Sequence, residues 1–174
     1  MRRLVLALGS LAVLATACSQ QPAAPAPSSA PPPATTVAQP PPDPQPTGPG
    51  PCPYLDTSFV ADANGQHVSK VQTSSDQPHP ACFFYALNGK LQLTVRVYTG
   101  DAAVAAALVD KAAPVSSSNP ATDPPGWQGG YQTTDGGAVY AVAKAGTAVV
   151  VTTNQKQTVK ARTVAKQTIS SLGL

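Results

Sequence analysis

The sequence contains no glutamate. Its acidic residues are eight aspartates, seven of them scattered from Asp56 to Asp135, and charged residues of either sign make up only 11% of the 174 residues. A site built on paired carboxylates has little to draw on, which disfavours hydrolysis of glycans by that chemistry. The formal net charge is +3, and Arg2 and Arg3 supply two of those charges at the N-terminus. The remainder is close to neutral, which argues against a nucleic-acid binder. Histidine is nearly missing: neither His67 nor His79 has a set of Cys or Asp residues at metal-ligand spacing, and Asp76, three residues before His79, is the nearest approach. No metal or cofactor is expected. There is no Gly-x-Ser-x-Gly run and no Gly-rich loop leading into Lys-Ser/Thr, so neither a nucleophile elbow nor a phosphate cradle is signalled. Aromatics amount to 5%, and all nine lie between Tyr54 and Tyr140, which places the folded part there.

The N-terminus carries a targeting pattern. Basic Arg2 and Arg3 precede an apolar run from Leu4 to Leu14, and small residues follow. This is the composition of a secretory signal. Leu4 to Ala17 spans about 14 residues, short of the ~20 that a membrane-spanning helix needs. Ala15-Thr16-Ala17-Cys18, with Ser19 and Gln20 behind it, resembles a bacterial lipobox, although Ala15 stands where Leu is usual. The resemblance implies that the leader, residues 1–18, ends at Cys18. It also implies that this cysteine carries the lipid and that acyl chains anchor the protein to the outer face of the cytoplasmic membrane. Two or three chains would hold it stably where one would not. The same residues also fit an ordinary secretory cleavage after Ala15-Thr16-Ala17, which leaves a free cysteine. There are three cysteines in all, so one is odd in an oxidising compartment. Acylation of Cys18 removes the odd one and leaves Cys52 and Cys82 as an expected disulfide. Its loop of about 30 residues corresponds to roughly 3.5 kcal/mol of stabilisation.

Residues 19–51 are rich in proline and alanine, contain no aromatic, and carry Asp43 as their only charge. Such a segment cannot bury enough apolar surface to order itself. It reads as a disordered spacer with an upper reach of roughly 100 Å. Residues 52–174 then form one domain, large enough to bury its own core.

Within the domain, Tyr54 to Ala63 reads as a short helix with Leu55, Phe59 and Ala63 on one face, stopped by Asn64-Gly65. Val68 to Thr73 reads as a strand. Asn88-Gly89, between Ala81–Leu87 and Lys90–Tyr98, is the strongest hairpin signal. A two-residue loop pairs Phe84 with Leu93 and Cys82 with Val95. Cys82, Phe84, Ala86, Leu91, Leu93, Val95 and Val97 then share a core face. Phe83, Tyr85, Leu87, Lys90, Gln92, Thr94, Arg96 and Tyr98 share the other. Asp101 can cap an Ala-rich helix over 102–113, ended by Pro114. Residues 114–130 read as a long loop. Strands follow over 131–134, 138–144 and 147–153, then a helix over 155–172 with Ala161, Val164, Ala165, Thr168, Ile169 and Leu172 as its apolar stripe. The class is α+β: an antiparallel sheet of about six strands in two hairpin-containing halves, three helices on one side, order α-β-β-β-α-β-β-β-α. The strand–hairpin–helix unit recurs about 60 residues on, as an echo of topology rather than of sequence.

Two candidate binding features stand out. Trp127, in a Pro/Gly-rich loop, is either a ligand platform or a plug for the core rim. Phe83, Tyr85, Arg96 and Tyr98 mix aromatic and hydrogen-bonding groups on the second hairpin face, as binding surfaces do, unless a helix covers them. The last helix is basic through Lys156, Lys160, Arg162 and Lys166, which suits either anionic headgroups or a solvated face.

Pro51-Cys52-Pro53-Tyr54-Leu55, His79-Pro80-Ala81-Cys82-Phe83-Phe84-Tyr85, Gly137 to Val142 and Val149 to Gln155 together resemble an actinobacterial cell-envelope lipoprotein family with a C-terminal domain of unknown function. The resemblance covers roughly residues 51–174 and implies a location and an architecture, with no active residues. The expected function is that of a non-catalytic, membrane-anchored binding or interaction module. A carrier of a small apolar ligand such as a lipid or glycolipid is the alternative, and a hydrolase of envelope polymers a more distant one. The partners left open are the membrane itself and an envelope protein, lipid or glycan.

Overall fold

The computed structural model describes residues 38–174. Cys18 lies outside the described residues. Eight strands, β1 (Gly48–Pro49), β2 (Val68–Thr73), β3 (Cys82–Ala86), β4 (Leu91–Thr99), β5 (Asn119–Ala121), β6 (Gln128–Thr134), β7 (Gly137–Lys144) and β8 (Thr147–Thr153), form one antiparallel sheet. The helices are α1 (Thr57–Asn64), α2 (Ala102–Ala112) and α3 (Thr158–Leu172). The strand order is β1-β2-β3-β4-β8-β7-β6-β5. The α+β class stands, with two strands beyond the six expected. Both additions, β1 and β5, are the outer edges of the sheet, and each contains a proline (Pro49, Pro120). Proline donates nothing to a ladder and is tolerated at an edge, so its presence made both segments read as loop.

Each half of the sheet is a four-strand meander, and the two meet antiparallel at β4 and β8. The echo stops at the helices. α3 and α1 cover one face, where Phe84, Leu93, Val95, Val142, Val149 and Val151 meet Ala161, Val164, Ala165 and Ile169. α2 covers the other face, where Ala105, Leu108, Val109 and Ala113 meet Val139, Ala141 and Ala148. The expectation of helices on one side is thus corrected. β7 explains why: Tyr140 and Val142 point to one face while Val139 and Ala141 point to the other, so Gly137 to Val142 is buried throughout. A strand covered on both faces shows an apolar run without polar alternation. The small residues on the α2 side let this Ala-rich helix sit close.

The Asn88-Gly89 turn forms, with a different loop. The Gly89 amide donates to the Ala86 carbonyl and the Ala86 amide to the Lys90 carbonyl, which makes Leu87-Asn88-Gly89 a three-residue loop with Gly89 at φ 75°. This is a turn with a left-handed glycine closing it. Phe84 still pairs with Leu93 and Cys82 with Val95, as expected, because a bulge follows between Phe84 and Tyr85, after which Tyr85 pairs with Leu91. The extra residue is Gln92. A bulge reverses the in–out alternation on its turn side. Gln92 therefore lies in the core at 1% exposure, and Leu91, expected in the core, is 45% exposed. Inside, the Gln92 carbonyl accepts from the Asn64 amide at 2.9 Å and its own amide donates to the His67 carbonyl at 3.0 Å. The Thr153 hydroxyl donates to the Asn64 carbonyl oxygen and completes a buried polar cluster.

α1 starts later than expected. Asp56 caps it, accepting from the Ser58 amide at 2.7 Å, while Tyr54 and Leu55 are buried ahead of the helix. Tyr54 donates to the Pro80 carbonyl at 2.9 Å. Cys52 and Cys82 are disulfide-bonded, with Cα atoms 5.6 Å apart, and pin the entry of α1 to β3. The chain ahead of Cys52 also belongs to the fold. The Thr47 amide donates to the Thr73 carbonyl at 2.9 Å, the Gly50 amide to Val71, and β1 pairs with β2. Residues 38–51, expected as the end of a disordered spacer, lie against the sheet because their few non-proline residues find partners there.

Candidate binding groove

α2 packs over the β6–β8 end of its sheet face. The β3–β4 end of that face is left without a helix, and residues 43–46 run beside it. Between this strap and α2 lies a groove of about 560 Å³. Phe83, Tyr85, Thr94 and Arg96 come from β3 and β4, Leu108 and Lys111 from α2, and Leu91 sits at its rim because of the bulge. Strand parity puts Arg96 opposite Val150, and Thr94 opposite Thr152, so β8 continues the floor, with Val139 of β7 and Thr134 of β6 beyond it. α2 is set in place by Asp101, which accepts from the Ala103 and Val104 amides at 2.8 and 3.1 Å. Leu108, Lys111 and Ala112 then fall at i, i+3 and i+4 on the groove side.

The groove's charges are clustered. The Arg96 side chain is only 12% exposed, and its guanidinium donates to the Pro42 carbonyl at 2.9 Å and lies 3.7 Å from the Asp43 carboxylate. Lys111 Nζ reaches the same carboxylate oxygen at 2.7 Å. Asp43, the only charge in the proline-rich segment, thus sits between a cation of the sheet and a cation of the helix. At the opposite end Lys70 lies over the Tyr85 ring, 4.1 Å from its centroid, as a cation–π pair.

Of the expected binding residues, Phe83, Tyr85 and Arg96 come together here. Tyr98 does not: it packs under α2, and its hydroxyl accepts from the Asp101 amide at 3.1 Å. Trp127, one of the candidate binding residues, takes the plug alternative: at 2% exposure it lies in the core with Ala121 and Tyr140. Asp43, Leu108 and Lys111 were missed. The lone charge in an otherwise neutral spacer was the only sequence signal for Asp43.

Residues 34–174 match the model of a family described as a domain of unknown function, DUF2020. The chain belongs to the DUF2020 family. Its match begins upstream of the strap and of Cys52, so the strap falls inside the DUF2020 domain, as its packing does. No curated protein matches the chain.

Away from the groove, the basic residues in and just ahead of α3 are largely engaged within the domain; α3 begins at Thr158, later than the expected 155, so Lys156 precedes it. Lys160 donates to the Asn64 carbonyl at 2.8 Å, Lys156 to the Thr134 and Asp135 carbonyls, and Lys166 to Asp123 at 3.1 Å. Tyr140 donates to the Asp123 carbonyl. Burial first, and then the nearby Asp123 charge, push its pKa up. His67 is exposed, His79 is half-buried, and among the described residues no group of three or more His, Cys or Asp could hold a metal. No described helix is long and apolar enough to cross a membrane.

Proposed function

We propose that this is an actinobacterial-type envelope lipoprotein, anchored through Cys18 at the outer face of the cytoplasmic membrane, whose domain is a non-catalytic binding module. The observation that carries the reading is the β3–β4 face left without a helix, where Phe83, buried at 5% exposure, Tyr85 and Arg96 line a groove between the strap and α2. Aromatic rings and a largely desolvated arginine are the groups on which recognition surfaces concentrate their binding energy. The Cys52–Cys82 bond fits an oxidising compartment and so favours export. The ionic groups of the groove, Asp43, Arg96 and Lys111, engage one another, an arrangement suited to holding a ligand rather than to proton transfer.

The anchor is tested by Cys18→Ser, which should move the protein from the membrane fraction to the soluble one; a protein that stays with the membrane has no need of the lipid. The module is tested with a photoreactive residue at Leu91, on the groove rim, in intact cells. It should capture a partner that the same probe at exposed Val159 on α3 does not. Equal capture from both positions, or none from either, removes the groove as the contact surface.

A further inference from the structure

We propose that the groove binds an anionic amphiphile with a single alkyl chain, and that Asp43 is a built-in stand-in for that ligand's head. The inference rests on the reading of the β3–β4 face as the binding surface and names its ligand. The first argument is charge. Arg96 and Lys111 share one carboxylate, and it comes from the strap. When the strap lifts, two cations face the groove with no acid in its lining, and the guanidinium loses the Pro42 carbonyl and the Asp43 carboxylate as partners. Two neighbouring cations with no acid beside them attract an anion. Asp43 itself is 68% exposed and Lys111 50%, and exposed pairs of this kind hold weakly, so the Asp43 carboxylate can yield to a competing anion.

The second argument is donor accounting. The floor of the groove is a sheet face, and β3, β4 and β8 bond their backbone groups to their neighbours in the ladder. The groove presents side chains, chiefly Phe83, Leu91, Val139 and Val150 from the sheet and Leu108 from α2. An ordinary peptide laid there would bury amides with nothing to accept from them. The strap avoids this because five of its residues from Pro40 to Pro46 are prolines without an N–H. An alkyl chain avoids it altogether, since it needs only apolar walls, and its head needs only the two cations. The third argument is room. About 560 Å³ remains with the strap in place, within the ordinary range for small-molecule sites.

The test uses the mature-length chain carrying Cys18→Ser, so that no acyl anchor or detergent competes. Calorimetric titration below the micelle concentration compares decanoate, decyl phosphate and uncharged decanol. Both anions should bind one to one, and decanol about tenfold more weakly. A preference for decanoate or for decyl phosphate then separates a fatty-acid from a single-chain (lyso) phospholipid source. Asp43→Asn should tighten decanoate about threefold, because the internal competitor is weakened. Arg96→Gln should weaken it about tenfold. Lys111→Gln, on the exposed side of α2, should weaken it about threefold and guards against misfolding of the Arg96 variant. Decanol binding as tightly as decanoate, or an Asp43→Asn variant with unchanged affinity, overturns the proposal. So does a chain with residues 38–46 replaced by Gly and Ser that takes up a Pro-Pro-Pro-Asp-Pro-Gln-Pro peptide and no decanoate. Failure of every amphiphile alongside photocapture of a protein at Leu91 refutes the ligand but keeps the module, whereas failure of both removes both.

Discussion

The bulge in β4 makes adjacent residues answer oppositely to the same substitution. Gln92→Ala should cost far more than Leu91→Ala, against every expectation from side-chain polarity. Gln92 makes two hydrogen bonds, at 2.9 and 3.0 Å, to the Asn64 amide and the His67 carbonyl. Each is worth about 1 kcal/mol net, and a partner left unpaired in the core adds about 1 kcal/mol more. Asn64 is fully buried, so the sum is about 3 kcal/mol. Leu91 is 45% exposed. Truncating a fully buried leucine costs 2.7–5 kcal/mol, and with much of this side chain already in water about 1 kcal/mol remains. The gap of about 2 kcal/mol corresponds to a separation of roughly 1.3 M between urea midpoints, for a denaturant slope near 1.5 kcal/mol/M. The only tryptophan, Trp127, is buried against the α3-side core, so its fluorescence reports unfolding directly. The two-residue hairpin loop without a bulge would put Leu91 inside and Gln92 outside. A Leu91→Ala variant less stable than Gln92→Ala would restore that register and refute the parity reversal on which the groove's rim depends.

Two further outcomes are expected. Replacing Cys52 and Cys82 together with alanine should lower stability by about 3.5 kcal/mol in denaturant titration, and thiol titration of the unreduced domain should find neither sulfur free. Burial, first, raises the pKa of both Tyr54 and Tyr140, with Asp76 adding to the first and Asp123 to the second. A raised folded-state value means that their contribution is complete below the ordinary tyrosine value near 10 and is lost as pH rises through the folded values. Thermal midpoints should therefore fall between pH 9 and about 12, and the Tyr54→Phe/Tyr140→Phe double variant should fall less. An equal fall in both proteins would assign the alkaline loss to other groups.

Local rules carried the reading of the sequence a long way. The stripe on α3 is buried as its spacing implies, Asp101 caps α2, and Asn64-Gly65 stops α1. What stayed hidden were features that local rules cannot express. A bulge is invisible to alternation because Leu91-Gln92-Leu93 fits an unbroken strand equally well. Edge strands containing Pro49 and Pro120 look like connectors. Which face α2 chooses depends on Val139 and Ala141, residues that its own weak amphipathicity does not name. The groove was half visible. Phe83, Tyr85 and Arg96 share a face by simple parity, but their meeting with Leu108, Lys111 and Asp43 spans crossovers that no short window contains. The proline-rich composition of residues 38–51 pointed to solvent, and the few side chains and amides that dock it are outnumbered there.

Under the proposed lipid anchor, the two borders of the sheet bear on how copies of the protein would share a membrane surface. β1 has two residues and β5 three, and each has a ring where a neighbouring chain would look for a donor. Copies gathered side by side in two dimensions collide often, and an open, regular border would let them zip into fibrils. Blunt, proline-bearing borders deny that growth a template, so high surface density need not end in polymerisation.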